Sequence, residues 1–283
     1  MKISVVIPAF NEGAVIGKTV GRIRELYPDY EVIVVNDGSS DNTAQEAEQA
    51  GARVVQHPYN IGNGAAVKTG IRNATGDFIV LMDGDGQHAP EDISRLLEKA
   101  EKFDLIIGAR SGESQASILR RIANWCYNQL ASYVANFRVL DLTSGFRVFK
   151  REMVLKHICL FPNTFSYPTT STLAYLRSGH TVGFVPIVAH KRVGKSKIKL
   201  IRDGYRFLLI IMRIATLFSP LKIFLPIGFS FLLTGFGYYG YTFYMDHRFT
   251  NMSALLFSVS IMVFLLGLVS EQITQARYDR VEY

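Results

Sequence analysis

Residues 81–92 read LMDGDGQHAPED. An apolar run ends on Asp83, Gly84, Asp85, Gly86 and Gln87, which puts two carboxylates and an amide oxygen at alternate positions. Asp and Gly favour turns, and a strand followed by a turn accounts for part of the pattern. Carboxylates clustered at a strand end also suit a hard divalent cation such as Mg2+ or Mn2+, whose ligands are oxygens. The rest of the chain decides between the two readings.

Two other stretches could bind a nucleotide. In VVNDGSSDNT, residues 34–43, a strand delivers Asn36 and Asp37 into a Gly-Ser turn. Asp37 could accept hydrogen bonds from the N–H groups of a base, while Ser40 or Asp41 is a natural helix N-cap. NIGNGAAVKTG, residues 60–70, places glycines at a helix start, where bare amides could face phosphate or simply permit close packing.

The elements that must position these residues alternate. ISVVIPA, EVIVVND, ARVVQH, DFIVLMD and DLIIGAR read as strands, separated by helical stretches near 12–26, 41–50, 63–74 and 91–102. Strands apolar throughout, with helices between them, imply an α/β fold whose mainly parallel sheet is covered on both faces. Ligands of such sheets lie outside the carboxyl ends of the strands. Pro8–Glu12, Asn36–Ser40, Asp83–Gln87 and Gly108–Arg110 all fall there. Further on, 114–135 reads as a helix, DLTSGFRVFKREMV as loop, strand and helix start, 169–178 as a helix, and TVGFVPIVAHKR as a last strand.

The order VVIPAFNE, VNDGSSDNT, NIGNGAAVKTG, GDFIVLMDGDGQHAPED, GAR and DLTSGFRVFKR resembles the inverting glycosyltransferases of the GT-A fold. Among them it is similar to the dolichyl- or polyprenyl-phosphate sugar synthases, over about residues 1–200. The resemblance implies a metal-binding Asp-x-Asp element in which Asp85 and Gln87 are ligands and Asp83 holds the ribose or a metal-bound water. It implies that Pro8, Ala9, Asn11, Glu12, Asp37, Asp83 and Gly84 line the nucleotide-sugar pocket. Asp83, Asp85 and Arg110 are the expected catalytic residues. The implied donor is a nucleotide-diphosphate sugar, and the implied acceptor is a polyprenyl or dolichyl phosphate. A phosphate monoester is mostly dianionic at neutral pH and should need no strong general base. In keeping with this, no Asp or Glu lies between Glu152 and Asp203. Asp141 is the only acid nearby, structural or sugar-contacting. A phosphate acceptor needs cations instead, and Arg110, Arg120 or Arg121, Arg147, Arg192, Lys195 and Lys197 qualify, with Ser196 as a hydroxyl donor.

Composition places the chain at a membrane. Hydrophobic residues make up 48% of the 283. Residues 223–245 and 252–270 contain no charge, and each is long enough to span a bilayer as a helix. Residues 201–220 read as an interfacial amphipathic helix, so the expected organisation is 1–200, 201–220 and 221–283. Of the net charge of +7, the block from Ile187 to Lys222 supplies +8, with nine Lys and Arg against Asp203 alone. A basic block before a spanning helix marks the cytoplasmic side and attracts anionic lipid, which explains the charge without nucleic acid. GFGYYGY, residues 235–241, could pack helices of neighbouring subunits or within one hairpin. Cys126 and Cys159 have no metal-ligand spacing and read as buried thiols. Three other activities are weighed: transfer to a hydroxyl of a lipid-linked saccharide, a non-catalytic membrane scaffold, and a processive polysaccharide synthase. The last should carry Gln-x-x-Arg-Trp, which the only tryptophan, Trp125 in IANWCY, lacks.

Overall fold

The structure, a computed structural model, describes residues 1–110, 118–163, 166–188, 216 and 218–282; the side chains of 118–123 and 277–282 are outside that description. The chain divides into two compact units, Met1–Ile198 and Lys199–Tyr283. In chain order the first contains β1 (Ile3–Ala9), α1 (Gly13–Leu26), β2 (Glu31–Asn36), α2 (Thr43–Gln49), β3 (Arg53–Gln56), α3 (Asn63–Asn73) and β4 (Phe78–Leu81). It continues with α4 (Asp92–Leu97), β5 (Leu105–Arg110), α5 (Ile118–Ala135), β6 (Arg147–Lys150), α6 (Arg151–His157), α7 (Tyr167–Arg177) and β7 (Val182–Ile187).

The seven strands form one sheet in the order β3-β2-β1-β4-β6-β5-β7. All pairings are parallel except those of β6, which runs antiparallel to both β4 and β5. Both faces are covered, as the uninterrupted Val and Ile runs require. Alternate residues supply two cores: Val5, Ile7, Val32, Val34 and Val80 on one side, Val6, Ile33, Val35, Ile79 and Leu81 on the other. Each fully buried side chain of this kind contributes about 1.5–3 kcal/mol. Helix α3 approaches the sheet so closely that a Cβ at Gly70 would collide with Val6.

The sheet gathers chemistry at one rim. The carboxyl ends of β1, β2, β4 and β5 open there, and because β6 is antiparallel its first residue, Arg147, lies there too, level with Leu81 and Ile107. The chain winds from β1 outward to β2 and β3 and then places β4 on the other side of β1, a reversal of winding direction that opens a crevice for ligands.

The second unit contains two long helices, α8 (Leu221–Asp246) and α9 (Asn251–Glu282). Both are long and apolar enough to cross a membrane, and only 11% and 17% of their most apolar windows are buried, so neither is the core helix of a soluble domain. Helix α9 extends well beyond the apolar stretch at 252–270. Gly235 packs on Phe257 and Leu256 inside the hairpin, and Ser260 Oγ donates to Gly228 O at 2.8 Å, whereas Gly237 and Gly240 have open space beside them. The expected interfacial helix at 201–220 lies largely outside the described residues.

Both cysteines depart from expectation. Cys126 and Cys159 are exposed, because each falls on the outer side of its helical turn.

Candidate active site

On the β1–β2 side the rim is a pair of turns stitched together. Asn11 takes a left-handed conformation, φ 55°, and its Oδ1 accepts from Ser40 N at 2.9 Å. The Asn11, Glu12 and Gly13 amides donate in turn to Ser39 Oγ, Thr43 Oγ1 and Asp41 Oδ2 at 2.9–3.0 Å. Asp41 also accepts from Thr43 N at 3.1 Å, so one carboxylate serves the starts of both α1 and α2. Pro8 and Ala9 are buried in β1 beneath Gly84, whose Cβ, were there one, would lie 3.1 Å from Pro8 O.

Asp37 behaves differently from the expectation of a base contact. It is 2% exposed, and its carboxylate accepts from Ile61 N at 3.0 Å and Gly62 N at 2.9 Å while meeting His57 Nδ1 at 2.7 Å. It anchors the loop that precedes α3. Three amides at this helix start are thus occupied, those of Ile61 and Gly62 by Asp37 and that of Ala65, which donates to Asn163 O at 2.9 Å. Gly38 is required here: its φ is +70°, and a Cβ would stand 2.5 Å from the Tyr59 backbone.

The acid cluster follows β4. Asp83, Asp85 and Gln87 are all half-buried, and Asp85 Oδ1 accepts from Gln87 N at 3.1 Å, the bond of a tight Asx turn. A Cβ on Gly145 would collide with the Asp83 carboxylate, so the DGDGQ turn meets the TSGFR turn directly. Next to Gln87, His88 is 6% exposed, stacks on Phe146 at 5.2 Å, and has a buried Nδ1 without a hydrogen-bond partner among the described residues. Burial pulls its pKa down to about 4 against the opposing charge of Asp85, so the imidazole is neutral at neutral pH.

Beside the acids lies an Arg–Asp pair. Arg110 donates from Nε to Asp141 Oδ2 at 2.8 Å, from Nη2 to Asp141 Oδ1 at 3.0 Å, and from Nη2 to Thr143 Oγ1 at 2.6 Å. Asp141 further accepts from the Arg110 and Ser144 amides at 3.1 Å. Burial works against both charges, yet this mutual bonding raises the Arg110 pKa and lowers that of Asp141. The charges of Asp83 and Asp85 also raise the Arg110 pKa, so both acids lie within electrostatic reach of its guanidinium.

Arg147 corrects another expectation. It is 0% exposed, with Nε on Ser144 O at 2.7 Å, Nη2 on Leu142 O at 3.1 Å, and Nη1 on Ser171 Oγ and Thr172 Oγ1 at 3.0 and 2.7 Å. A guanidinium sealed in this way holds the TSGFR turn against α7 and is not placed to take an acceptor phosphate. Burial lowers its pKa to about 10, which still leaves it charged at neutral pH.

The site thus unites Pro8, Ala9, Asn11, Glu12, Asp83, Gly84, Asp85, Gln87 and Arg110 at one rim. The Arg121 side chain, and Arg192, Lys195, Ser196 and Lys197 altogether, lie outside the described residues. Thr143 and His88 were not singled out for a site role by sequence, although His88 directly follows the motif; Asp141, expected to be structural or sugar-contacting, is the partner of Arg110. Among the described residues no three His, Cys, Asp or Glu side chains form a ready-made metal cage. Two half-buried carboxylates and an amide oxygen suit a cation that completes its shell with water and the phosphates of its ligand.

An α/β rim that joins a closed turn pair to an oxygen-ligand cluster and a fixed arginine lies where open sheets of this kind bind their ligands. Residues 4–158 match the model of Glycosyl transferase family 2, and the chain belongs to that family. Residues 219–276 match the GtrB C-terminal hairpin, so α8 and α9 are a membrane hairpin. The dodecaprenyl-phosphate galacturonate synthase of Rhizobium johnstonii is 31% identical over 166 residues, covering 54% of this chain and 49% of that one, about half its length. The undecaprenyl-phosphate mannosyltransferase of Micrococcus luteus is 28% identical over 213 residues, covering 70% and 87%. A crystal structure of glucosyl-3-phosphoglycerate synthase from Mycobacterium tuberculosis, in complex with Mn2+, uridine-diphosphate-glucose and phosphoglyceric acid, shares the fold. Its TM-score is 0.61 at 22% identity, over 76% of this chain and 78% of that one.

Proposed function

We propose that this glycosyltransferase moves a hexose from a nucleotide-diphosphate sugar to the phosphate of a polyprenyl or dolichyl phosphate, inverting the anomeric centre, with its catalytic unit on the cytoplasmic face. The observation that carries the reading is the Arg110–Asp141 pair beside Asp83 and Asp85. The bonds that Asp141 makes with Arg110 hold its carboxyl below the usual carboxylate range. That makes it a poor general base, as suits an acceptor that is already an anion. The relatives' own substrates, polyprenyl phosphates, agree with this choice.

In this reading Asp85 and Gln87, with Asp83 beside them, would hold Mg2+ or Mn2+, which when bound neutralises charge on the departing nucleoside diphosphate. The paired turns at Asn11–Gly13 and Ser39–Thr43 seat the nucleoside, with Pro8, Ala9 and Gly84 as the floor. Asp37 contributes through the loop it anchors. Arg110, aimed by Asp141, offers its guanidinium to the acceptor phosphate, and Arg121, Arg192, Lys195, Ser196 and Lys197 are further acceptor contacts.

The test is a transfer assay with purified protein, polyprenyl phosphate, Mg2+ or Mn2+, and labelled GDP-mannose, UDP-glucose or UDP-N-acetylglucosamine offered separately. Acid-labile labelled lipid that disappears in Asp85→Ala is expected. Nucleotide-sugar binding without lipid labelling would instead favour a hydroxyl acceptor.

A further inference from the structure

The buried histidines of the catalytic unit use both ring nitrogens, with one exception. His57 meets Asp37 Oδ1 through Nδ1 at 2.7 Å and Thr69 Oγ1 through Nε2 at 2.9 Å. His157 meets Met153 O through Nδ1 at 3.0 Å and Ser178 Oγ through Nε2 at 3.1 Å. His88 is buried as they are, yet its Nδ1 has no hydrogen-bond partner among the described residues. A buried nitrogen left in this way costs free energy, and folded chains hold few of them, so the exception calls for a cause. Packing does not supply one, because an apolar ring would stack on Phe146 without that cost.

The surroundings of the ring point to one. His88 directly follows Gln87, and it stacks on Phe146, the neighbour of the Gly145 that abuts Asp83. The imidazole therefore bridges the DGDGQ and TSGFR turns. The acids whose charges act on it are Asp85, Asp141 and Asp92. Asp141 is engaged by Arg110 and Asp92 by Arg95, which leaves Asp85 as the acid that also serves the proposed cation. We propose that His88 is a positioning residue of the cation site, its Nδ1 reserved for a hydrogen bond with an oxygen that arrives with the cation. The proposal rests on the reading of Asp85 and Gln87, with Asp83 beside them, as the cation's holders, and on nothing about the sugar or the acceptor.

A neutral imidazole suits either kind of oxygen. A cation-bound water donates, and Nδ1 accepts when the ring proton is on Nε2; a diphosphate oxygen accepts, and the other tautomer donates. Either bond gives the cation's outer shell a fixed point on the protein. The cost of the unpaired nitrogen is relieved on loading, so it adds to affinity for the cation while subtracting from the stability of the metal-free chain.

These opposed effects make the test. Full-length protein in detergent is titrated with Mn2+, alone and with UDP or GDP present, and free Mn2+ is read by electron paramagnetic resonance. Thermal unfolding is followed separately in chelator. His88→Phe keeps a ring on Phe146 and removes the nitrogen. It should melt no lower than the unmodified protein, yet bind Mn2+ about tenfold more weakly. His88→Asn keeps a polar atom near the place of Nδ1 and gives up the stack, so it should melt lower and retain most of the Mn2+ affinity. A weakening seen with Mn2+ alone identifies the oxygen as water, and one seen only with nucleotide identifies it as diphosphate. Unchanged Mn2+ affinity in His88→Phe under both conditions overturns the proposal. So does affinity that merely follows stability across the two variants, which is what a packing role predicts. Should His88→Phe not fold, His88→Asn decides: retained affinity at a lowered midpoint sustains the proposal, and a loss of about tenfold sinks it. Mn2+ binding that Asp85→Ala leaves intact removes the cation reading itself, and the proposal with it.

Discussion

Asp141 illustrates how much one buried carboxylate can organise. It receives the backbone and side chain of Arg110 together with the amides of Thr143 and Ser144, so it fixes both the arginine and the turn that meets Asp83. Asp141→Asn keeps the shape and removes the charge. We expect kcat/KM for the lipid acceptor to fall about 10–100-fold, about 1.4–2.7 kcal/mol, while nucleotide-sugar affinity changes by less than about twofold. A comparable loss of nucleotide affinity would place Asp141 on the donor side instead. Arg147 poses the opposite case, a charge whose role is to hold the fold. Arg147→Ala leaves the Ser144 and Leu142 carbonyls and the Ser171 and Thr172 hydroxyls short of a partner around a cavity. It should cost about 3–5 kcal/mol, read as a lowered thermal midpoint in detergent. Arg147→Lys, which keeps the charge and loses the fork, should cost less.

Among the elements, the strands were legible because apolar runs of Val and Ile bounded by Gly, Pro and Asp leave little else to form. The rim was legible for the same reason, since its residues end those runs. Side-chain direction was not. An arginine in TSGFR reads alike whether it points to solvent or into α7, and the Ser171 and Thr172 hydroxyls that receive Arg147 registered in the sequence only as missing acids. The Arg110–Asp141 pair was illegible because it joins residues 31 positions apart. The opposite rim has its own clamp, which ties three strand ends. Asp104, at the start of β5, binds Lys150 Nζ at 2.7 Å, at the end of β6, and Thr181 N and Oγ1 at 3.0 and 2.8 Å, just before β7. Burial would raise its pKa, but these bonds hold it at about 2. An unfolded Asp titrates near 3.9, so the clamp's contribution is complete above that pH and is lost as pH falls through about 2. Asp104→Asn should destabilise by about 1–2 kcal/mol at pH 7, with the gap to the unmodified protein closing between about pH 5 and 2.

Charge is distributed along the chain as unevenly as hydrophobicity. The stretch Ile187–Lys222 carries +8 of a net +7, so the remainder is close to neutral, and the hairpin follows directly. The apolar helices account for insertion by themselves, since two spans of 26 residues bury far more hydrocarbon contact than a few lysines could supply electrostatically. What we expect the basic block to add is attraction between the catalytic unit and an anionic surface, together with a pull on the proposed anionic lipid acceptor. These two effects, unlike insertion, are screened. Raising salt from about 0.1 to 1 M shrinks the Debye length from about 10 to 3 Å. On vesicles containing phosphatidylglycerol, transfer should slow several-fold over that range through a rise in KM for the lipid acceptor. On phosphatidylcholine alone it should start slower and change less, and flotation should be unaffected in both. Equal salt sensitivity on the two surfaces would mean that the basic block grips the acceptor phosphate itself rather than the surrounding membrane. No sensitivity on either would leave the block without an electrostatic part in the reaction.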